Sequence, residues 1–235
     1  MGTTRFGPIL RSGKGVGMGW FADQPIGSSP DYIEFWDDFT GIAVNTTNDW
    51  TSVKDSSATV AIVADTHGGE LALTSAATTD NDGASIQGNE IFLPASGRTI
   101  WFEARVKVAD ADQQDVFVGL CGNFATDPEA CLAASNRIGL QIDDGNASIL
   151  CKSEATDTET STDSGIDAAD ATYVRVGFIV NGTTNIKYFV NRQLVATHTT
   201  NIPATELAPA VFSLSGNNQG TKSLTIDYIR VVSTR

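Results

Sequence analysis

Between Thr172 and His198 the chain reads TYVRVGFIVNGTTNIKYFVNRQLVATH. Val174, Val176, Phe178 and Val180 recur at every second position, with Tyr173 and Arg175 between them on the opposite side. After Asn181-Gly182, Ile186, Tyr188 and Val190 repeat the alternation, and Asn191-Arg192 turns the chain into a third run, Gln193 to Thr197. A period of two broken by Asn-rich turns describes an antiparallel meander. Three such strands give a sheet with one apolar face, which a second layer has to cover.

The remainder supplies that layer. Arg98 to Val108 alternates as clearly: Ile100, Phe102, Ala104, Val106 and Val108 on one side, Thr99, Trp101, Glu103, Arg105 and Lys107 on the other. Shorter strands are expected at 32–40, 50–53, 58–63, 69–75, 84–86, 90–93, 116–121, 137–142, 147–152, 207–215 and 224–232, with one helical turn near 129–133. Glu154 to Asp170 carries six acids, no base and many hydroxyls, and reads as a solvated loop. At 235 residues, with 41% hydrophobic and 18% charged residues, the chain suffices for one folded β domain. Residues 31–235 are read as that antiparallel β-sandwich.

Residues 1–30 differ. Seven glycines and three prolines exclude a helix, yet Phe6, Ile9, Leu10, Trp20 and Phe21 are too apolar for an idle tether. The segment holds Arg5, Arg11 and Lys14 against Asp23, net +2. The remaining 12 bases and 27 acids give the body net −15, which together make the chain's −13. Such a body repels nucleic acid and anionic membrane. No run of about 18 apolar residues is present. The N-terminus has no apolar signal-peptide core, and Phe6 stands where myristoylation needs Ser or Thr. Synthesis in the cytoplasm is expected.

Cys121, Cys131 and Cys151 have no zinc-ligand spacing. They are read as small buried hydrophobes, with a Cys121–Cys131 clip as the alternative. Asp80-Asn81-Asp82-Gly83 is a fragment of a calcium loop without the loop's other ligands, and reads as a plain turn. Neither a metal nor a cofactor is expected. His67 and His198 lack a nucleophile's setting, and Asp37/Asp38 and Asp143/Asp144 make no convincing acid dyad.

FWDDFTG, GELALTS, RTIWFEARVKVAD, YVRVGFIVNG…IKYFVNRQLVATH and LTIDYIRV, taken in order, resemble the concanavalin A-like lectin/glucanase jelly roll of laminarinases and LamG-like modules. The resemblance spans Phe35 to Val232 and implies an all-β jelly roll. Its hydrolase branch carries E-x-D-x-x-E on one strand, so that acid and nucleophile share a face about 5 Å apart. None of the eight glutamates begins that motif. The nearest, Glu154 to Glu159, has the wrong spacing, and the corresponding strand Asp115–Cys121 has one acid. On this ground the chain is expected not to be an enzyme.

MGTTRFGPILRSG is similar to the start of small proteins encoded beside major capsid genes in tailed bacteriophages. That likeness implies a capsid decoration (cement) protein on the virion surface. Its arm residues Arg5, Phe6, Ile9, Leu10, Arg11, Lys14, Trp20 and Phe21 would dock on the major capsid protein, and neighbouring copies would assemble as a homo-oligomer. The alternative is a lectin-like module for host glycans, using Trp101 with Glu103 and Arg105.

Overall fold

A computed structural model describes residues 32–55, 57–75, 80–122, 127–216 and 220–235. The arm, with all eight of its expected docking residues, lies outside the described residues. Fifteen strands are described: β1 (Tyr32–Asp37), β2 (Thr51–Lys54), β3 (Thr59–Ile62), β4 (Leu71–Thr74), β5 (Gly83–Gln87), β6 (Thr99–Val108), β7 (Gln114–Cys121), β8 (Asn136–Asp143), β9 (Asn146–Ala155), β10 (Thr158–Asp167), β11 (Tyr173–Asn181), β12 (Asn185–Val190), β13 (Gln193–His198), β14 (Ala208–Ser215) and β15 (Ser223–Thr234). A single 3-10 turn, Pro128–Cys131, follows Asp127, whose side chain accepts the N–H of Glu129.

The strands form two antiparallel sheets. One runs β13-β12-β11-β6-β15-β4-β3, with β1 also on β15; the other runs β10-β9-β8-β7-β14-β5-β2. β1 and β4 share one side of β15: β4 pairs with Ser223–Ile226 and β1 with Ile229–Thr234. The expected meander is present as β11 to β13, in register from Val176↔Val190 to Asn181↔Asn185. Between the sheets lie Phe102, Phe178, Val118, Leu120, Ile138, Leu140 and Ile86, all buried in one continuous core. Phe102 stacks on Phe178 at 4.8 Å, because the two residues face each other across β6 and β11.

Two strand expectations need correction. Glu154 to Asp170 is not a loop: β9 continues through Ala155, and Thr158–Asp167 pairs with it as β10. Ser and Thr suit an extended backbone, and an outermost strand satisfies its ladder without an apolar stripe. Residues 90–93 form no strand, and Phe92 makes only an isolated bridge to Leu207.

Candidate functional site

Alternation gives each sheet an outer face, and the two outer faces are built from different chemistry. On the seven-stranded sheet, β7 points Asp115, Phe117, Gly119 and Cys121 outward, and β14 points Ala210, Phe212 and Leu214 the same way. Phe117, Cys121, Ala210, Phe212 and Leu214 form a second buried cluster, against which Ala130, Leu132 and Ala134 pack from the segment around the 3-10 turn. Phe117 and Phe212 stack at 5.8 Å. Gly119 and Gly139 face each other across β7 and β8, and the Phe117 ring fills the space their missing side chains leave. A Cβ on Gly139 would stand 2.5 Å from that ring.

Beside this apolar strip lies a buried ionic group. Arg137, its side chain 6% exposed, donates from Nε to Glu154 (2.8 Å) and from Nη2 to Glu159 (2.6 Å). Lys152 Nζ donates to the other oxygen of Glu159 (2.9 Å). Glu154 and Glu159, expected in a loop, are directly opposed on β9 and β10. Burial alone would raise the Glu159 carboxyl, but the Lys152 ammonium and the Arg137 guanidinium outweigh it and hold the group below its ordinary range. Glu159 is therefore held as a carboxylate and is not set to deliver a proton.

Asp115 is the one acid on β7. Its Oδ1 accepts the Asp144 N–H at 2.9 Å. Burial first, and then the charges of Asp144, Asp143 and Asp80, push its carboxyl up to about 6. The next two outward positions of the strand are Phe117 and Gly119, so β7 itself carries no second carboxylate. No group of three or more His, Cys, Asp or Glu placed to hold a metal occurs among the described residues.

His198 is buried between the sheets, with Nδ1 2.9 Å from Ser153 Oγ and Nε2 3.0 Å from Thr162 Oγ1. Both ring nitrogens are satisfied and burial lowers the ring's pKa, as befits a neutral core histidine. His67 is exposed. Cys151 is a buried free thiol that burial pushes up to about 12. Cys121 belongs to the second cluster; the side chain of Cys131 lies outside the described residues, and so does the pairing of the two. Asp37 serves structure: one oxygen accepts the Phe39 N–H (2.8 Å) and the other the Trp50 indole N–H (2.7 Å).

The eight-stranded sheet presents the other outer face. Trp101, Glu103 and Arg105 all lie there on β6, flanked by β11 and β15. Glu103 accepts the Tyr228 hydroxyl and lies 3.5 Å from Arg175 Nε. Arg105 pairs with Asp227 and sets its guanidinium 3.9 Å over the Tyr173 ring. The Tyr173 hydroxyl donates to Glu70. Glu103 and Arg105 are thus engaged within the face, and half-buried Trp101 lies beside them on β6, between Ile179 and Val232.

Trp36 was not singled out from the sequence, and it is the most exposed aromatic of the face at 55%. Arg230 sits 4.9 Å from its ring centroid and is held there by Glu34 at 2.8 Å. The signal was available in YIEFWD, where Ile33 and Phe35 alternate with Glu34 and Trp36 and so leave the tryptophan on the polar side. Trp36 also borders a hollow of about 330 Å³, shared with Phe35, Asp37, Phe39, Asn45 and Ile62.

Among solved structures with the same fold are a GH16 protein of the Bacteroides ovatus mixed linkage glucan PUL, in complex with a G4G4G3G product, and the Bacillus licheniformis β-glucanase. The first is 13% identical over 84% of this chain and 99% of its own, with a TM-score of 0.59. The second is 16% identical over 84% and 97%, with a TM-score of 0.61. The catalytic domain of a Thermotoga petrophila endo-1,3-β-glucanase (laminarinase) is 11% identical over 86% and 97%, at 0.60. The glucanase-type jelly roll expected from the sequence is therefore the fold. The expectation that the chain is not an enzyme is overturned by the same finding: its structural neighbours are glucanases, and one missing motif does not exclude a hydrolase on their fold. No curated protein matches the chain. Residues 66–231, most of the sandwich, match the family model described as SO2946-like, C-terminal domain, and the chain belongs to that family.

Proposed function

We propose that the outer face of the eight-stranded sheet binds a β-linked glucan, with Trp36 and Trp101 as its stacking platforms. The observation that carries this reading is a tryptophan 55% exposed on a regular strand, beside a hollow edged by Asp37 and Asn45. Indole faces take the C–H faces of sugar rings, and carboxylates and amides take their hydroxyls. β1 and β6 flank β15, with Trp36 level with Glu103 and two residues along from Trp101, so the two tryptophans are about 12 Å apart, at about 4.8 Å per strand and 3.3 Å per residue. The glucanase neighbours supply the ligand class: mixed-linkage and 1,3-β-glucans.

Affinity electrophoresis in laminarin and in mixed-linkage glucan tests this. Retardation of the wild type, weakened about tenfold (roughly 1.4 kcal/mol) in Trp36→Ala or Trp101→Ala, supports the reading, and equal mobility with and without polysaccharide removes it. Reducing-end release measured on the same samples, with Asp115→Asn as control, shows whether binding is accompanied by hydrolysis.

The charge split between arm and body favours a second reading, in which the protein decorates a bacteriophage capsid. The arm's Arg5, Arg11 and Lys14 would seek an acidic shell while the net −15 body stays in solvent. Mixing undecorated shells with the full chain and with a chain lacking residues 2–30 tests it, and equal binding by both sinks it. The two readings are compatible, one assigning the anchor and the other the presented face.

A further inference from the structure

The hollow beside Trp36 is walled by acceptors. It is formed by β1 together with the segment 39–49 that follows it. At about 330 Å³ it stands at the small end of ligand hollows and suits a single sugar unit. Among the described residues that line it, Glu34, Asp37 and Asp49 bring three carboxylates and Asn45 an amide, with no Lys, Arg or His. Glu34 Oε1 accepts Arg230 Nε (3.0 Å) and Nη2 (2.8 Å), and Asp49 Oδ2 accepts Asn45 Nδ2 (2.5 Å). Their other oxygens, Glu34 Oε2 and Asp49 Oδ1, accept no hydrogen bond from the described residues. The walls are also fixed. Asp37 holds the Phe39 and Trp50 N–H groups, and Asn45 Oδ1 accepts those of Thr47 and Asn48 at 3.3 Å. Buried Trp50 stacks on Phe39 and meets Phe35 edge-on at 5.0 Å. The acids are therefore in position before any ligand arrives.

We infer that this hollow is the subsite of a 2-amino sugar, so that the β-glucan it recognises carries glucosamine units. This rests on the glucan reading above and sharpens it. A neutral sugar brings hydroxyls, which donate and accept and are served best by a wall that does both. A wall of three carboxylates without a base favours a ligand that brings the opposite charge. An ammonium has three N–H donors and no acceptor, and its bonds to carboxylate oxygens are roughly twice as strong as neutral ones. The Trp36 indole, 55% exposed at the rim, takes the C–H face of the same ring and attracts its cation. A uronate in this place would set a carboxylate against Glu34 and Asp49 and be rejected.

Titration calorimetry of the full chain with cellotetraose and with its 2-amino counterpart, fully deacetylated chitotetraose, tests it. The buffer is slightly acidic and low in salt, so that the sugar amines are charged and little screened. The wild type should bind the amino tetramer at least fivefold more tightly. Glu34→Gln/Asp49→Asn should bring the two within twofold of each other, and Trp36→Ala should weaken both. Asp163→Asn/Asp167→Asn, which removes as many charges from β10 on the other sheet, should keep the preference. Equal binding of the two tetramers by the wild type, with Trp36→Ala still weakening both, would overturn the inference and leave the glucan reading standing. A preference lost equally in the two double variants would overturn it too, since the attraction would then be to the acidic body as a whole. Binding of neither tetramer, or binding that Trp36→Ala leaves unchanged, would remove the glucan reading and the amino-sugar subsite with it.

Discussion

The two outer faces of this sandwich use the same alternating backbone to opposite ends. On the seven-stranded sheet, Phe117, Phe212, Cys121 and Leu214 are packed against the segment around the 3-10 turn, and Arg137 is buried between its carboxylate partners. On the eight-stranded sheet, charges pair in the plane of the surface and the Trp36 ring is exposed. The difference teaches where binding is affordable in this fold. A ligand on the first face must displace packed apolar side chains, whereas on the second, among the described residues, no such layer covers the Trp36 ring.

Substitutions can break or sharpen that contrast. Phe117→Ala should have the largest effect, about 4 kcal/mol of lost stability in urea denaturation, as for other fully buried aromatics. A loss under about 1 kcal/mol would mean that this face is not sealed. Arg137→Met should lower stability by about 3 kcal/mol, because it takes the buried guanidinium from the largely buried Glu154, while Glu159 keeps Lys152. Added salt should restore little of that.

Two titratable groups, one from each sheet, should also respond oppositely to pH. Asp115 is raised to about 6 when folded, so its contribution is fully present below about pH 4 and is lost as pH rises through 6. Asp115→Asn should then stabilise at pH 7 and gain nothing at pH 4. His198, on β13 of the eight-stranded sheet and facing the core, is depressed below 6.5. Its contribution is present above that value and lost as pH falls, so His198→Gln should flatten the acid side of a thermal-melt profile. Trp36→Ala should change stability least, by under about 1 kcal/mol. A larger loss would show that Trp36 belongs to the packing and not to an open surface.

Most of the architecture was legible because burial on one side writes itself as alternation. The meander from Tyr173 to His198 and the long strand at 99–108 are of this kind, with no competing period. β10 was missed because neither of its sides is apolar, and its membership comes from backbone pairing with β9, which leaves no hydropathic trace. The opposition of Glu154 and Glu159 went unseen for the same reason, since without β10 no hairpin brings them together. β7 and β14 were legible as strands, and the turn near 129–133 as a turn, but covered on both sides the strands read as plain apolar runs, and nothing local tells that Ala130 and Leu132 pack over Phe117. Trp36 was legible in YIEFWD but short of context, because its exposure depends on how the sheet ends beside it.

That last strand of the smaller sheet has a bearing on colloidal behaviour. Pairing β10 of one molecule edge to edge with β10 of a second would join two sheets and set Glu159, Asp163 and Asp167 of each copy along the same seam. Near neutral pH that seam meets its own repulsion, so concentrated solutions should stay monomeric across this edge. Acidification weakens the repulsion and leaves a threonine-rich ribbon, and it is there that edge-to-edge dimers should first form.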